Sequence, residues 1–423
     1  MRIRKSFVIA GISAVFVIFI AALVIIANFD SLRHKTQVAF YGLNEVQVKA
    51  FEAELASVTD KNGKIVHYAF TVLDDKLPLA EQLSSRTDLL VSAAGASLDE
   101  AVASVPAKKM DSYALEQTVL SGMYSSVAAF SMRNDKGRVL ALPLLVDPVE
   151  ILLNAQTLSQ TGMRKISSIN MLGDYASKSR GTVYFPVVFA GADARSFVDM
   201  TGALAESLSG SGAFDEAVKL VRSEKSRSAE DLVKDLCDGE NAPFNKAATL
   251  LSEWTKARII MNDVYNLEDK GLPALMRENM CAAVFTDLSS HRQFEFEALR
   301  HFVSVPDASG ETLPFVPSER PLITRRLSAG VICAVPLSKE KGTGYAVARL
   351  VSSGAQESLS RATGLGPVLA DSAVPDRQAD DARFWIAASD VPFVPFSRAA
   401  FTDGEFLDAF ATALKIYIRN GQF

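Results

Sequence analysis

Tryptophan occurs only twice in this 423-residue chain, at Trp254 and Trp385. Cysteine is nearly as scarce. Cys237, Cys281 and Cys333 are odd in number and lie far apart, so they fit neither a disulfide framework nor a metal-ligand spacing. They read as three small buried hydrophobes. Only four histidines are present, His34, His67, His291 and His301, and none stands in an H-E-x-x-H pattern. A positive charge excess is missing as well. With 44 Lys plus Arg against 49 Asp plus Glu, the formal net charge is −5, which gives no electrostatic basis for binding nucleic acid. Nucleophile-elbow and P-loop motifs are absent. "GSG" at 210–212 lacks the lysine that a P-loop needs, and "TGLGP" at 363–367 lacks dinucleotide spacing. Ser338 and Lys341 match S-x-x-K only within the charged run "PLSKEKG". No catalytic residue, metal ligand or cofactor motif is identified.

The longest uncharged run is at the start of the chain. Arg2, Arg4 and Lys5 precede Ser6 to Ala27, 22 residues without a charge. At about 1.5 Å rise per residue, a helix of that length spans the ~30 Å core of a bilayer. A cleaved signal has a shorter apolar region ending in small residues, whereas this run ends in "LVIIANFD". The expectation is a retained anchor over residues 6–27, with residues 1–5 cytoplasmic and 28–36 a linker. Cations concentrate before the span, so residues beyond it are expected outside the cytoplasm.

The remaining length suits two lobes. A strand is predicted over Gln37–Tyr41, then a helix capped by Asn44 with Gln47 completing a capping-box pattern. "KIVHYAF" (64–70) and "DLLVSAAG" (from Asp88) are further strands, and their alternation with helices predicts a parallel sheet of βαβ units. In such sheets ligands sit beyond the carboxyl ends of the strands. "SVAAFSM" and "RVLALPLLV" read as two strands joined by the turn "RNDKG". A helix is predicted from Pro148 to about Ser159, with Asp147 as its cap. Residues 163–262 read as mostly helical, broken by a strand within 181–191, with a solvated helix pair over 222–241. Strands at 280–287 and 329–336, helices near 341–353 and 355–362, and an amphipathic C-terminal helix complete the reading.

Several of these stretches together resemble the extracellular solute-binding proteins of ABC importers, the family of maltose-type sugar binders. "VAFYGLNEVQVKAFEAEL" resembles the family's opening strand, aromatic-Gly turn and first helix. "GRVLALPLLVDPVEILLNAQTLSQTGM" resembles its strand running into an "A-G" helix. "LPALMRENMCAAVFTDLSSHR" resembles its "A-A-M" strand with the ligand-contacting turn. "LSAGVICAVPLSKEKGTGYAVARLVSSGAQESLSRATGLGPVLADSAV" resembles its late crossing strand, two helices and "G-x-x-P" signature. The resemblance covers nearly all of residues 37–376. It departs from the family where Tyr41 replaces the usual tryptophan and where a glycine and tryptophan are missing after the "A-A-M" strand.

The resemblance implies an α/β, two-lobed (Venus-flytrap) periplasmic-binding-protein fold, here with an N-terminal transmembrane helix. Residues 37–143 plus 329–374 would form one lobe, and 144–328 plus 375–423 the other, with Pro143 at the hinge. It implies ligand contacts at Tyr41, Asn44, Ser92, Asp147, Phe189, Trp254, Asp287, Ser289 and Gly364. Seven of them have a plainer reading beside this one: turn and cap for Tyr41 and Asn44, helix cap for Asp147, loop for Ser92, core packing for Phe189 and Trp254, and loop shaping for Gly364. The implied function is a solute-binding component of an ABC-type import system, not an enzyme. It would bind a small solute, a sugar or oligosaccharide favoured, with permease subunits as partners. Scarce tryptophan bears on the sugar, because sugar faces pack on aromatic rings. A tethered sensor or scaffold with a degenerate cleft, and an exported hydrolase, are the competing readings.

Overall fold

A computed structural model describes residues 35–421, apart from 164–165, 167–168, 224–226, 305–327 and 389–393. The expected anchor at 6–27 and most of the linker lie outside the described residues. Among these, no helix is long and apolar enough to cross a membrane.

Among the described residues, nine strands organise the fold: β1 (Thr36–Tyr41), β2 (Tyr68–Val72), β3 (Leu89–Ala93), β4 (Leu142–Asn154), β5 (Phe185–Phe189), β6 (Cys281–Asp287), β7 (Phe302–Ser304), β8 (Ala329–Pro336) and β9 (Gly366–Pro367). Their hydrogen-bonded order is β2-β1-β3-β8-β4-β6-β5, with β7 and β9 also pairing β4. β1 runs parallel to β2 and β3, and β5 parallel to β6, as the βαβ pattern predicts. Successive residues of β1 feed opposite faces. Val38 and Phe40 join one apolar cluster, Ala39 and Tyr41 another. Helices therefore cover the sheet on both sides, the usual condition of parallel strands. Asn44 caps the helix Glu45–Ala56 in a full capping box with Gln47.

β4 carries the largest departure from the sequence reading. The helix expected from Pro148 does not form. Leu142–Asn154 is one 13-residue strand, and the helix begins only at Ala155, capped by Asn154 through a bond from Thr157 N. β4 pairs β8 through Pro148 and then pairs β6 from Val149. The side chains change core at the same place, with Val146 in a first-lobe cluster and Val149 in the second-lobe core. Proline has no N–H to give a ladder, so Pro148 is accommodated where the partner strand changes. Pro143, read as the hinge, instead marks a register irregularity between Pro143 and Leu145 within the first lobe.

The expected strand "SVAAFSM" is absent too: Ser125–Ala128 is one helical turn. Its "RNDKG" turn does close back on itself, with Arg133 bridging Val139 and Gly137 at φ +74°. The chain returns to the second lobe later than residue 375. Ala382, Trp385 and Ile386 of the helix Arg377–Ala388 pack with the first-lobe clusters, whereas Phe396 to Ile418 pack with the second-lobe core. In the charged 222–241 run, the helix Ala229–Cys237 buries Leu232, Val233 and Leu236 completely. The cysteines are buried and free, and burial pushes the Cys281 and Cys333 thiols up to about 12.

Where the strand leaves one lobe for the other, buried polar groups clasp it. Glu150 Oε2 lies 2.8 Å from His291 Nδ1, both side chains only 1% exposed, and His291 Nε2 lies 3.1 Å from Gln378 Nε2. Next to it, Arg292 donates to the Gly364 carbonyl, to Gln378 and to Asp376. The segment after β6 is thereby tied to the first lobe at the crossing.

Candidate functional site

The carboxyl ends of β1, β5 and β6 converge on the gap between the lobes, as expected for ligand sites of parallel sheets. A cavity of about 650 Å³ lies there. The first lobe contributes the turn after β1 (Gly42, Leu43, Asn44, Gln47), Asp75, and Asp147 from the crossing strand. The second contributes 192–196 after β5, 268–270, the turn after β6 from Asp287 to Gln293, and Arg398.

Local rules place these side chains. Asp287 ends β6 and caps the short helix after it, its Oδ1 accepting from Ser290 N at 2.7 Å and from Ser289 Oγ at 3.0 Å. Ser289 N donates to Asp147 Oδ1 at 2.9 Å, joining the turn to the crossing strand. Burial, and then the negative charge of Asp287, raise the Asp147 carboxyl well above its ordinary value, against the lowering effect of that Ser289 bond. Asp193 follows β5 and caps the helix Ala194–Ser209 by accepting from Ser196 N at 2.7 Å. Asp269 is raised to about 6 by burial, then by its neighbours Asp287 and Asp193.

Arg398 enters from the second lobe and donates through Nη2 to the carbonyl of Gly42 in the first, at 3.1 Å. Two glycines admit it. A Cβ on Gly42, where φ is +68°, would stand 2.9 Å from Arg398 Nη1, and one on Gly95, where φ is +143°, 2.3 Å from the Arg398 carbonyl oxygen. Beneath it the Asp199 carboxylate accepts from Ser397 N (2.6 Å) and Oγ (2.9 Å), fixing the segment that carries the guanidinium. Burial pushes Asp199 up to about 7 and lowers Arg398 to about 10, nearby Arg195 adding to the lowering. Further contacts span the lobes: Arg195 with Asp75 at 3.2 Å, Lys76 with Asp408 at 2.6 Å, and Arg222 with Asp99 at 3.2 Å.

Of the nine residues expected at the ligand, Asn44, Asp147, Asp287 and Ser289 line this cavity. Asp147 does so as a strand residue and not as the helix cap it was read to be. Tyr41 borders a smaller adjoining pocket with Gly42, Gly95 and Arg398, and its hydroxyl donates to the Leu77 carbonyl at 3.2 Å. The other four lie elsewhere. Ser92 is fully buried and bonds the Ala93 carbonyl. Phe189 stacks on Phe197 and meets Tyr265 edge-on in the second-lobe core. Trp254 is buried against Gly173. Gly364 ends the helix Ser353–Thr363 in the left-handed conformation. Sequence reasoning missed Asp75, Arg195, Asp269 and Arg398. Asp193 was missed too, although it had a readable signal, a capping residue four positions after a strand end. Among the described residues, no group of three or more His, Cys, Asp or Glu side chains is arranged to hold a metal ion.

No protein-family model and no curated protein matches this sequence. Solved structures do. The bacterial solute receptor AcbH, described as having an exclusive preference for β-D-galactopyranose, is 11% identical, with 91% of this chain and 98% of that chain covered at TM-score 0.65. A sugar transporter of Bacillus licheniformis in complex with stachyose is 11% identical, covering 92% and 99% at TM-score 0.60. The GacH receptor of Streptomyces glaucescens, solved unliganded and with acarbose, is 14% identical, covering 92% and 95% at TM-score 0.57. The chain has the two-lobed α/β fold of these solute-binding proteins.

Proposed function

We propose that this protein is the extracytoplasmic solute-binding component of an ABC-type import system, held to the cytoplasmic membrane by residues 6–27. It closes its lobes on a small polar solute, with a sugar or oligosaccharide favoured. The observation that carries this reading is the cavity itself. It is built by both lobes at the carboxyl ends of β1, β5 and β6, and Asp147 lies in it on the very strand that joins the lobes. A solute held by Asn44 and Asp147 on one side and by Asp287 and Ser289 on the other touches both rigid bodies. It therefore favours the closed arrangement by its differential affinity for the two states. Rotation concentrates at Pro148–Val149, where β4 changes partners. A permease recognises the closed form, and no covalent step is required.

One observation favours a second reading, a tethered sensor or scaffold. Among the described residues, no tryptophan, tyrosine or phenylalanine lines the main cavity. A thermal-shift screen of sugars, oligosaccharides, polyamines and amino acids separates the two. The binder gives a Tm rise of several degrees with one class, lost in Asp147→Ala. A scaffold gives no rise with any. Sequencing the mature N-terminus tests the anchor, since a chain beginning near Asn28 contradicts it.

A further inference from the structure

The charges of the cleft do not balance. Six carboxylates line the main cavity, those of Asp75, Asp147, Asp193, Glu268, Asp269 and Asp287, against the three cations Arg195, Lys270 and Arg398. Two of these cations are already matched, Arg195 by Asp75 and Lys270 by Glu268. Arg398 is engaged with the Gly42 carbonyl and shares its single charge among Asp199, Asp147 and Asp287. Four carboxylates remain. Asp193 and Asp287 accept from helix N-termini. Asp147 takes one backbone N–H through a single oxygen. Asp269 makes no side-chain hydrogen bond or ion pair among the described residues, and its charged neighbours are the like-signed Asp193 and Asp287. Four carboxylates sharing one arginine still repel one another, and a further cation placed among them gains what they lose.

The occupant's size and surface are set by the same walls. A cavity of about 650 Å³ lies within the range of small-molecule sites, roughly 300–1,000 Å³. It offers no aromatic face, and its neutral lining includes Ser196, Ser290 and Gln293, which are suited to hydroxyl groups, beside the apolar Leu43 and Ala192. The carboxylates define no site by themselves; the cavity between the lobes does, and they set the sign of what it takes.

We infer that the solute carries a protonated amine among its hydroxyl groups, an amino sugar or a short oligomer of one, with the ammonium seated among Asp147, Asp269 and Asp287. This rests on the solute-binding reading and narrows it. An ammonium there would donate charge-assisted bonds to the carboxylates of Asp147 and Asp269, which are stronger than neutral ones.

The test is titration calorimetry on the full chain in detergent, with the β-1,4-linked glucosamine disaccharide, its N-acetylated counterpart, maltose and spermidine. The first two share geometry and differ in charge. The free amine should bind about tenfold tighter or more than the N-acetylated form, the size of one added charge-assisted bond. That advantage should shrink in high salt and disappear in Asp269→Asn while the variant keeps its Tm. Equal or tighter binding of the N-acetylated sugar or maltose overturns the amine and leaves the solute-binding reading standing. Tightest binding of spermidine overturns the sugar part. Binding of none of the four, with Tm unmoved, overturns both.

Discussion

Asp199→Asn isolates the electrostatics that hold Arg398 in place. Asp199 lies on the helix Ala194–Ser209 and accepts two bonds from Ser397, yet burial raises its carboxyl from 3.8 to about 7. The folded protein therefore binds this proton more tightly than the unfolded chain does. Its contribution to stability is fully present below about pH 4 and is lost as pH rises through 7. The shift is about 3 pH units, and at about 1.36 kcal/mol per unit it comes to about 4 kcal/mol between those limits. Asparagine keeps the shape and an acceptor for Ser397 N but does not titrate. The assay is urea unfolding of the full chain and of the variant at pH 4, 6 and 8. The other raised carboxyls among the described residues, Asp99, Asp147, Asp269 and Asp381, are common to both proteins and cancel in the difference. The stability of the parent minus that of the variant should fall by about 4 kcal/mol from pH 4 to pH 8. A difference that stays flat within about 1 kcal/mol would refute the reasoning, because Asp199 would then titrate alike in the two states.

Two further outcomes follow from packing. Phe396 is fully buried among Phe214, Phe244, Phe401 and Phe410 and anchors the segment that delivers Ser397 and Arg398. Phe396→Ala should cost about 3–5 kcal/mol in urea unfolding, and a loss under about 1 kcal/mol would show that this anchor is not needed. Gly95→Ala puts a methyl group against the Arg398 backbone at a φ of +143°. It should strain the contact between the lobes by on the order of 1–3 kcal/mol, read as roughly a five- to hundredfold loss of solute affinity; unchanged affinity would show that the contact is not part of closure.

Elements with strong local signals were legible. β1, β3, β6 and β8 are short apolar runs bounded by turn residues, and Asn44 with Gln47 wrote its capping box directly into the sequence. β4 was misread because a proline after an acid is also the way many helices begin. Nothing local says that the strand partner changes at Pro148; that depends on β6 and β8, which come much later in the chain. "SVAAFSM" failed for a different reason, since a short apolar run does not distinguish a strand from a buried helical turn. At the cavity, Asp287 and Ser289 follow a strand end as expected, whereas Asp147 lies within a strand and not at a helix cap. Arg398 carried no signal. It reaches the cleft because the chain crosses back into the second lobe and packs Phe396 into its core. Phe189 and Trp254 were drawn in because aromatic rings mark sugar sites elsewhere, whereas here they fill the core of the second lobe.

In the proposed function a small solute sits between the lobes, against the strand that joins them. A crystal structure of the full chain with the solute that most raises its Tm tests this most directly. Density is expected within hydrogen-bonding distance of Asp147 and of the turn after β6. Solute bound outside the interlobe cavity, or touching one lobe alone, would contradict it.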